Sequence, residues 1–155
     1  MDTEALKIPK KKKLVALWVE AEGQVIVSVF LQLQSDAHSG EETPEDIFNR
    51  PDTFIVVQIE DPQDTRFYHM GRVTRVEYHE DVPPESSSDL SELPCRLTLV
   101  DGSQVEGTIR EFLLPEHSRL YDYINKSEKR FVKLYESDDQ VILVNKDHII
   151  NISPQ

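Results

Sequence analysis

With 155 residues, hydrophobic residues at 38% and charged residues at 30%, the chain has apolar matter for one ordinary domain or two very small ones. No apolar run approaches the roughly 18 to 20 residues that span a bilayer, the basic N-terminus lacks a signal-peptide pattern, and the single Cys95 excludes an internal disulfide and a cysteine-based zinc site. The expectation is a cytoplasmic protein with no membrane partner. Its formal net charge of −12 is uneven: residues 14–80 are strongly acidic and would repel a phosphate backbone, whereas residues 95–155 are nearly balanced, with their Lys and Arg clustered.

Residues 1–13 lack an apolar period and end in four lysines, so they are expected to form a flexible basic arm. From Leu14 the period is two: Val15, Leu17 and Val19 share one side, and Val25, Val27, Val29, Leu31 and Leu33 repeat the pattern beyond a Glu22-Gly23 turn. A polar, mobile loop over 35–43 is expected next, then a short helical turn at Pro44–Asn49, with Thr43 placed to cap it and Pro44 at its first position. Three further strands complete residues 14–80. Residues 81–94 carry the Pro, Ser and acid content of a linker. From Cys95 to Gln155 the series runs again, with Asp101-Gly102 as the hairpin turn.

The second series is a near copy of the first. Gln24–Val29 matches Gln104–Ile109 at a spacing of 80, Asp46–Asn49 matches Asp122–Asn125 at 76, and Phe67-Tyr68 matches Leu143-Val144 at 76. Phe54 onward matches Phe131 onward at 77, and Val73 and Val76 match Ile149 and Ile152 at 76. Each copy therefore predicts about five short strands in a meander, the pattern of a small bent barrel. Barrels of about 60 residues are marginal alone, so the copies are expected to pack as twins about a pseudo-two-fold.

The run Leu97–Ile109, with turn glycine Gly102 and strand glycine Gly107, followed by Val144-Asn145-Lys146-Asp147-His148-Ile149-Ile150-Asn151-Ile152, resembles the Sm-like small-barrel family, its Hfq-like bacterial members in particular. The overlap takes in most of the second copy and, more faintly, the first. The resemblance implies an all-β fold of two tandem five-stranded Sm-like barrels with short helical turns in the connections. It also implies RNA binding through a uridine pocket. The positions matching that family's Tyr-Lys-His turn read Asn145, Lys146 and Asp147, so such a pocket would hold a carboxylate.

Chemical constellations are sparse. His38, His69, His79, His117 and His148 have no helical pairing and no cysteine partners, so no metal site is expected. No phosphate-binding loop, nucleophile elbow or dinucleotide pattern occurs, and Cys95 reads as a small core residue. No catalysis, cofactor or small-molecule substrate is expected. Two candidate features stand out. Arg119, Lys126, Lys129, Arg130, Lys133 and Lys146, with Tyr121 and Tyr123 interleaved, have the cation and aromatic mix that single-stranded RNA or a protein partner could use. The recurring Asp46 to Asn49 and Asp122 to Asn125 suggest a turn that closes each barrel or meets the other copy. The functional expectation is a non-catalytic protein-binding adaptor or regulatory module, with a protein partner or a homo-oligomer engaged through strand edges or loops. RNA binding through the second copy is the alternative.

Overall fold

A computed structural model describes residues 10–36, 38, 40–81, 90–114 and 119–155. Ten strands and two short helices follow in order: β1 (Lys10–Val19), β2 (Gly23–Gln32), α1 (Pro44–Phe48), β3 (Phe54–Glu60), β4 (Gln63–His69), β5 (Val73–His79), β6 (Leu90–Leu99), β7 (Gln104–Phe112), α2 (Leu120–Lys126), β8 (Phe131–Tyr135), β9 (Gln140–Asn145) and β10 (Ile149–Pro154). The strands form one antiparallel sheet in the order β10-β6-β7-β8-β9-β5-β1-β2-β3-β4. The fold is all-β, as the alternation predicts. It is a single continuous sheet with two ends and does not close into a barrel.

Each half contributes five consecutive strands with the same internal order: β5-β1-β2-β3-β4 in the first and β10-β6-β7-β8-β9 in the second. Backbone detail repeats as well. A 3-10 turn precedes the last strand of each half, at Met70–Arg72 and Lys146–His148. His69 Nδ1 accepts from Gly71 N, and Asn145 Oδ1 accepts from Asp147 N, each at 3.0 Å. Met70 N donates to Thr53 O at 2.8 Å, and Lys146 N donates to Arg130 O at 2.9 Å.

The hairpins form where the turn chemistry allows. Gly23 at φ +75° and Gly102 at φ +86° end the two tight turns in a conformation that an L side chain adopts at a cost. Asp101 Oδ1 fixes the second turn by accepting from Ser103 N at 2.9 Å. Helix α1 carries the expected cap: Thr43 Oγ1 accepts from Asp46 N at 3.2 Å, and Asp46 Oδ2 accepts from Thr43 N at 2.8 Å. Helix α2 runs a little longer and has no side-chain cap at Arg119.

Boundaries differ from the sequence reading at two places. Lys10–Lys13, expected in a flexible arm, are the first residues of β1 and pair with Gln32 through Val29. Leu90–Pro94, expected in the linker, open β6 and pair with Phe112 through Thr108. Composition marked both as unstructured, but a partner strand supplies their backbone hydrogen bonds whatever the side chains are. The rest of the arm and residues 82–89 of the linker lie outside the described residues, as does His117.

The expected pseudo-two-fold is replaced by a head-to-tail arrangement. The halves are joined by β5 and β9, in register Arg75↔Val144 through His79↔Gln140. A two-fold axis that brings β5 to β9 would also bring β10 to β4, yet those strands are the opposite ends of the sheet. The interiors are likewise unequal. The first half's core, built on Leu17, Val29, Leu31, Phe48 and Val76, includes Phe131, Val141 and Leu143 from the second half. The second half's core, built on Leu97, Leu99, Ile109, Leu134, Ile142 and Val144, draws on its own residues. Strand β9 is thus a wall between two interiors, its successive side chains pointing into alternate cores. No helix among the described residues is long and apolar enough to cross a membrane.

Candidate functional site

The joint shows how this chain recognises a sheet edge. Beyond the β5–β9 ladder, α1 of the first half reaches onto the start of β8. Asn49 Oδ1 accepts from Phe131 N at 2.8 Å while its Nδ2 donates to Glu45 O at 3.1 Å. Phe48 packs edge-on against Phe131 at 5.4 Å between ring centroids. Lys129 Nζ sits 3.0 Å from Glu45, and Lys133 Nζ lies 3.1 Å from Glu80 and 3.9 Å from Glu45. Burial works against the charge on Lys133, but Tyr135, Glu45 and Glu80 outweigh it and hold the amine above its ordinary range. The same contest at Lys129 is won by Glu45 and Glu111.

At the other end of the joint, the fully buried Asn145 donates to Val73 O at 3.0 Å. His148 Nε2 lies 2.8 Å from Gly71 O, and Nδ1 lies 3.0 Å from Thr74 Oγ1. A carbonyl can only accept, so Nε2 donates to Gly71 O, and in the neutral ring Nδ1 accepts from the threonine hydroxyl. His148 is therefore a structural residue of the joint.

Of the basic set, Lys129 and Lys133 are engaged in these cross-joint ion pairs. Arg130 donates to Asp52 O at 3.0 Å, Lys146 donates to Ser127 O at 2.7 Å, and Arg119 lies 3.6 Å from Asp122. Tyr123 is buried, its hydroxyl 3.2 Å from Glu111, and burial raises its pKa. Tyr121 stands 77% exposed on the same helix as Lys126. Asp46 and Asn49 both serve α1, and Asn49 also meets the other half at Phe131 N. Asn125 repeats half of that arrangement, its Nδ2 donating to Tyr121 O at 2.8 Å. Asp122 faces Arg119 in the first turn of α2.

Sequence reasoning missed the exposed apolar face of the outermost hairpin. On β3 and β4, Phe54, Val56 and Phe67 are 55%, 39% and 71% exposed. Val56 and Phe67 are directly paired, so the three residues share one face of the hairpin, and Phe54 stacks edge-on with His69 at 5.2 Å. The signal was present in the adjacent aromatics Phe67 and Tyr68, which a strand must point to opposite faces. Tyr68 is the buried one.

Among the described residues no group of histidine, cysteine and carboxylate side chains could hold a metal ion. Cys95 is buried, and burial pushes its thiol up to about 11, which keeps it protonated and unreactive at neutral pH. A cleft lined by Asp36, Glu42, Glu45, Asp46, Arg50 and Lys129, among others, runs along α1, and both of its cations are spent on its own carboxylates: Arg50 on Glu42, Lys129 on Glu45. No protein-family model matches the chain, and neither a curated protein nor a solved structure shows significant similarity to it.

Proposed function

We propose that the protein is a non-catalytic protein-binding module, an adaptor or regulator, made by duplication of a five-stranded Sm-like small barrel and binding through the open β3–β4 edge. The observation that carries this reading is the exposed Phe54, Val56 and Phe67 face beside a strand whose outer backbone groups pair with no strand among the described residues. A backbone edge gives affinity, and flanking apolar side chains give selectivity. The repeated strand order, β5-β1-β2-β3-β4 and β10-β6-β7-β8-β9, supports the duplicated-barrel reading. A cytoplasmic setting accords with the single, buried, protonated Cys95.

RNA binding by the second half is the competing reading, favoured by exposed Tyr121 beside Arg119 and Lys126. The protein-binding reading is preferred because Arg119, Lys129, Arg130, Lys133 and Lys146 already have partners within the fold.

The test compares proteins that co-purify with the wild type and with V56K/F67K. A specific partner lost from the variant is expected. Identical recoveries from both, together with a fluorescent oligouridine whose binding weakens steeply with salt, would replace this reading with the RNA one.

A further inference from the structure

We propose that the cleft between the β1–β2 turn and the β6–β7 turn is a binding site for an arginine side chain presented by a protein partner. The cleft shares no residue with the β3–β4 edge, so the inference goes beyond the reading above and is tested separately from it.

The cleft is a product of the joint. It has a volume of about 430 Å³, and its walls take Trp18 and Glu20 from the first half, Val100 and Asp101 from the second, and Thr74 near the start of β5. That volume is near the lower end of the roughly 300 to 1,000 Å³ of small-ligand sites and suits one large side chain. Both turns are pinned through their backbones, since Glu20 N donates to Arg72 O at 3.0 Å and Val100 N donates to His148 O at 2.9 Å. Thr74, itself buried, is tied across the joint to His148 at 3.0 Å. The walls are therefore fixed before a ligand arrives, which lowers the ordering cost of binding.

The lining selects a cation. It includes two carboxylates and no basic group, whereas both cations of the α1 cleft answer carboxylates of that same cleft. Asp101 Oδ1 accepts from the Ser103 hydroxyl at 2.6 Å and from Ser103 N at 2.9 Å. The hydroxyl bond above all, helped by the N–H and by nearby Arg75, outweighs burial and holds the carboxyl below its ordinary value. Both bonds fall on one oxygen, which leaves Oδ2 for a ligand. Glu20 is paired with Arg72 at 3.2 Å, an exposed contact that solvent screens.

Trp18 favours a guanidinium over an ammonium. The indole is half-buried, and the Arg75 guanidinium lies 4.0 Å from its ring centroid, with its charge met by Glu77 at 3.3 Å. An arginine entering the cleft has the indole to pack on and Asp101 and Glu20 to receive its planar fork. A lysine ammonium, a compact and strongly hydrated charge, matches that geometry less well. Free arginine is also a poorer fit, because its own carboxylate would face two others. The site occurs once: at the spacings that relate the halves, Trp18, Thr74 and Arg75 correspond to Thr98, Ile150 and Asn151, which supply no aromatic wall.

The test uses Trp18, the single tryptophan of the chain, as its own reporter. The full chain is titrated with the capped peptide acetyl-Gly-Arg-Gly-amide and followed by intrinsic fluorescence, with the matching lysine and glutamate peptides and free arginine as comparators. A saturable change is expected for the arginine peptide, weaker binding for the lysine peptide and free arginine, and none for the glutamate peptide. Asp101→Asn keeps the Oδ1 acceptor of the turn and removes the charge, so it should retain the wild-type circular dichroism and weaken the arginine peptide about tenfold. V56K/F67K, altered only at the separate edge, should bind the peptide as the wild type does. The absence of a saturable change would overturn the proposal, as would equal binding of the lysine or glutamate peptide, or tighter binding of free arginine. An unchanged affinity in Asp101→Asn would overturn it too. None of these results touches the β3–β4 edge, whose reading stands or falls on its own co-purification test.

Discussion

Asn145 ties the two halves together from a fully buried position. Its Oδ1 holds the 3-10 turn of the second half through Asp147 N, and its Nδ2 satisfies Val73 O, 72 residues earlier. Asn145→Ala would leave the buried Val73 carbonyl and the part-buried Asp147 N–H without that partner and a fully buried site emptied, at about 1 to 3 kcal/mol for the buried group. A loss of about 2 to 4 kcal/mol in urea-unfolding free energy is expected, larger than for any exposed lysine. Asp46 offers a pH test. Burial alone would raise its pKa, but the Thr43 N–H, the Thr43 hydroxyl and His38 outweigh burial and hold the carboxyl below its ordinary value of 3.8. A depressed carboxyl stabilises the fold fully above its unfolded pKa, and the contribution is lost as the pH falls through the lower folded value. Asp46→Asn should therefore cost about 1 kcal/mol at neutral pH. The gap from wild type in urea titrations should narrow as the pH falls below the ordinary value of 3.8 and through the lower folded one.

The β8–β9 hairpin is the element that makes the halves one body. Phe131, Val141 and Leu143 face the first half's core, and Val132, Leu134, Ile142 and Val144 face the second's. This accounts for the near-continuous apolar run of β9, where the first half's matching strand β4 is polar apart from Phe67 and Tyr68. A strand buried on both faces needs both faces apolar. Phe131→Ala would empty a fully buried site against Phe48 and should cost about 3 to 5 kcal/mol. The decisive readout is where the loss appears: methyl and aromatic resonances of Phe48 and Val76, in the first half, should shift as far as those of β8 itself.

At the scale of the whole molecule, the asymmetry of the two interiors sets the folding unit. The first half cannot complete its core without three residues from the second, whereas the second half fills its own. A fragment of residues 1–81 is expected to give broad, poorly dispersed amide spectra, and adding residues 82–155 in trans should restore dispersion. The intact chain should unfold in a single cooperative transition by both fluorescence and circular dichroism. A first half that folds independently would show that the β5–β9 joint merely links two finished units.

The alternation from Leu14 and from Cys95, the two Gly-ended turns, the Thr43 cap and the duplication were all legible in the chain, because each depends on residues close in sequence and on backbone rules that act locally. Asn49 and Asn125 were singled out by recurrence alone, and Asn49 proved to bridge the halves. Residues such as Lys129 and Lys133 could not be placed. Their acidic partners, Glu45 and Glu80, are remote in sequence, and a cation's availability depends on what lies within a few ångströms of it. The strand that meets its neighbour across the joint, the head-to-tail sense that excludes a two-fold, and the exposure of Phe54 and Phe67 where Phe131 and Leu143 are covered were decided by tertiary structure alone. Repeats of similar pattern carry similar local instructions, and their position, inside the sheet or at its end, separates a buried side chain from an exposed one.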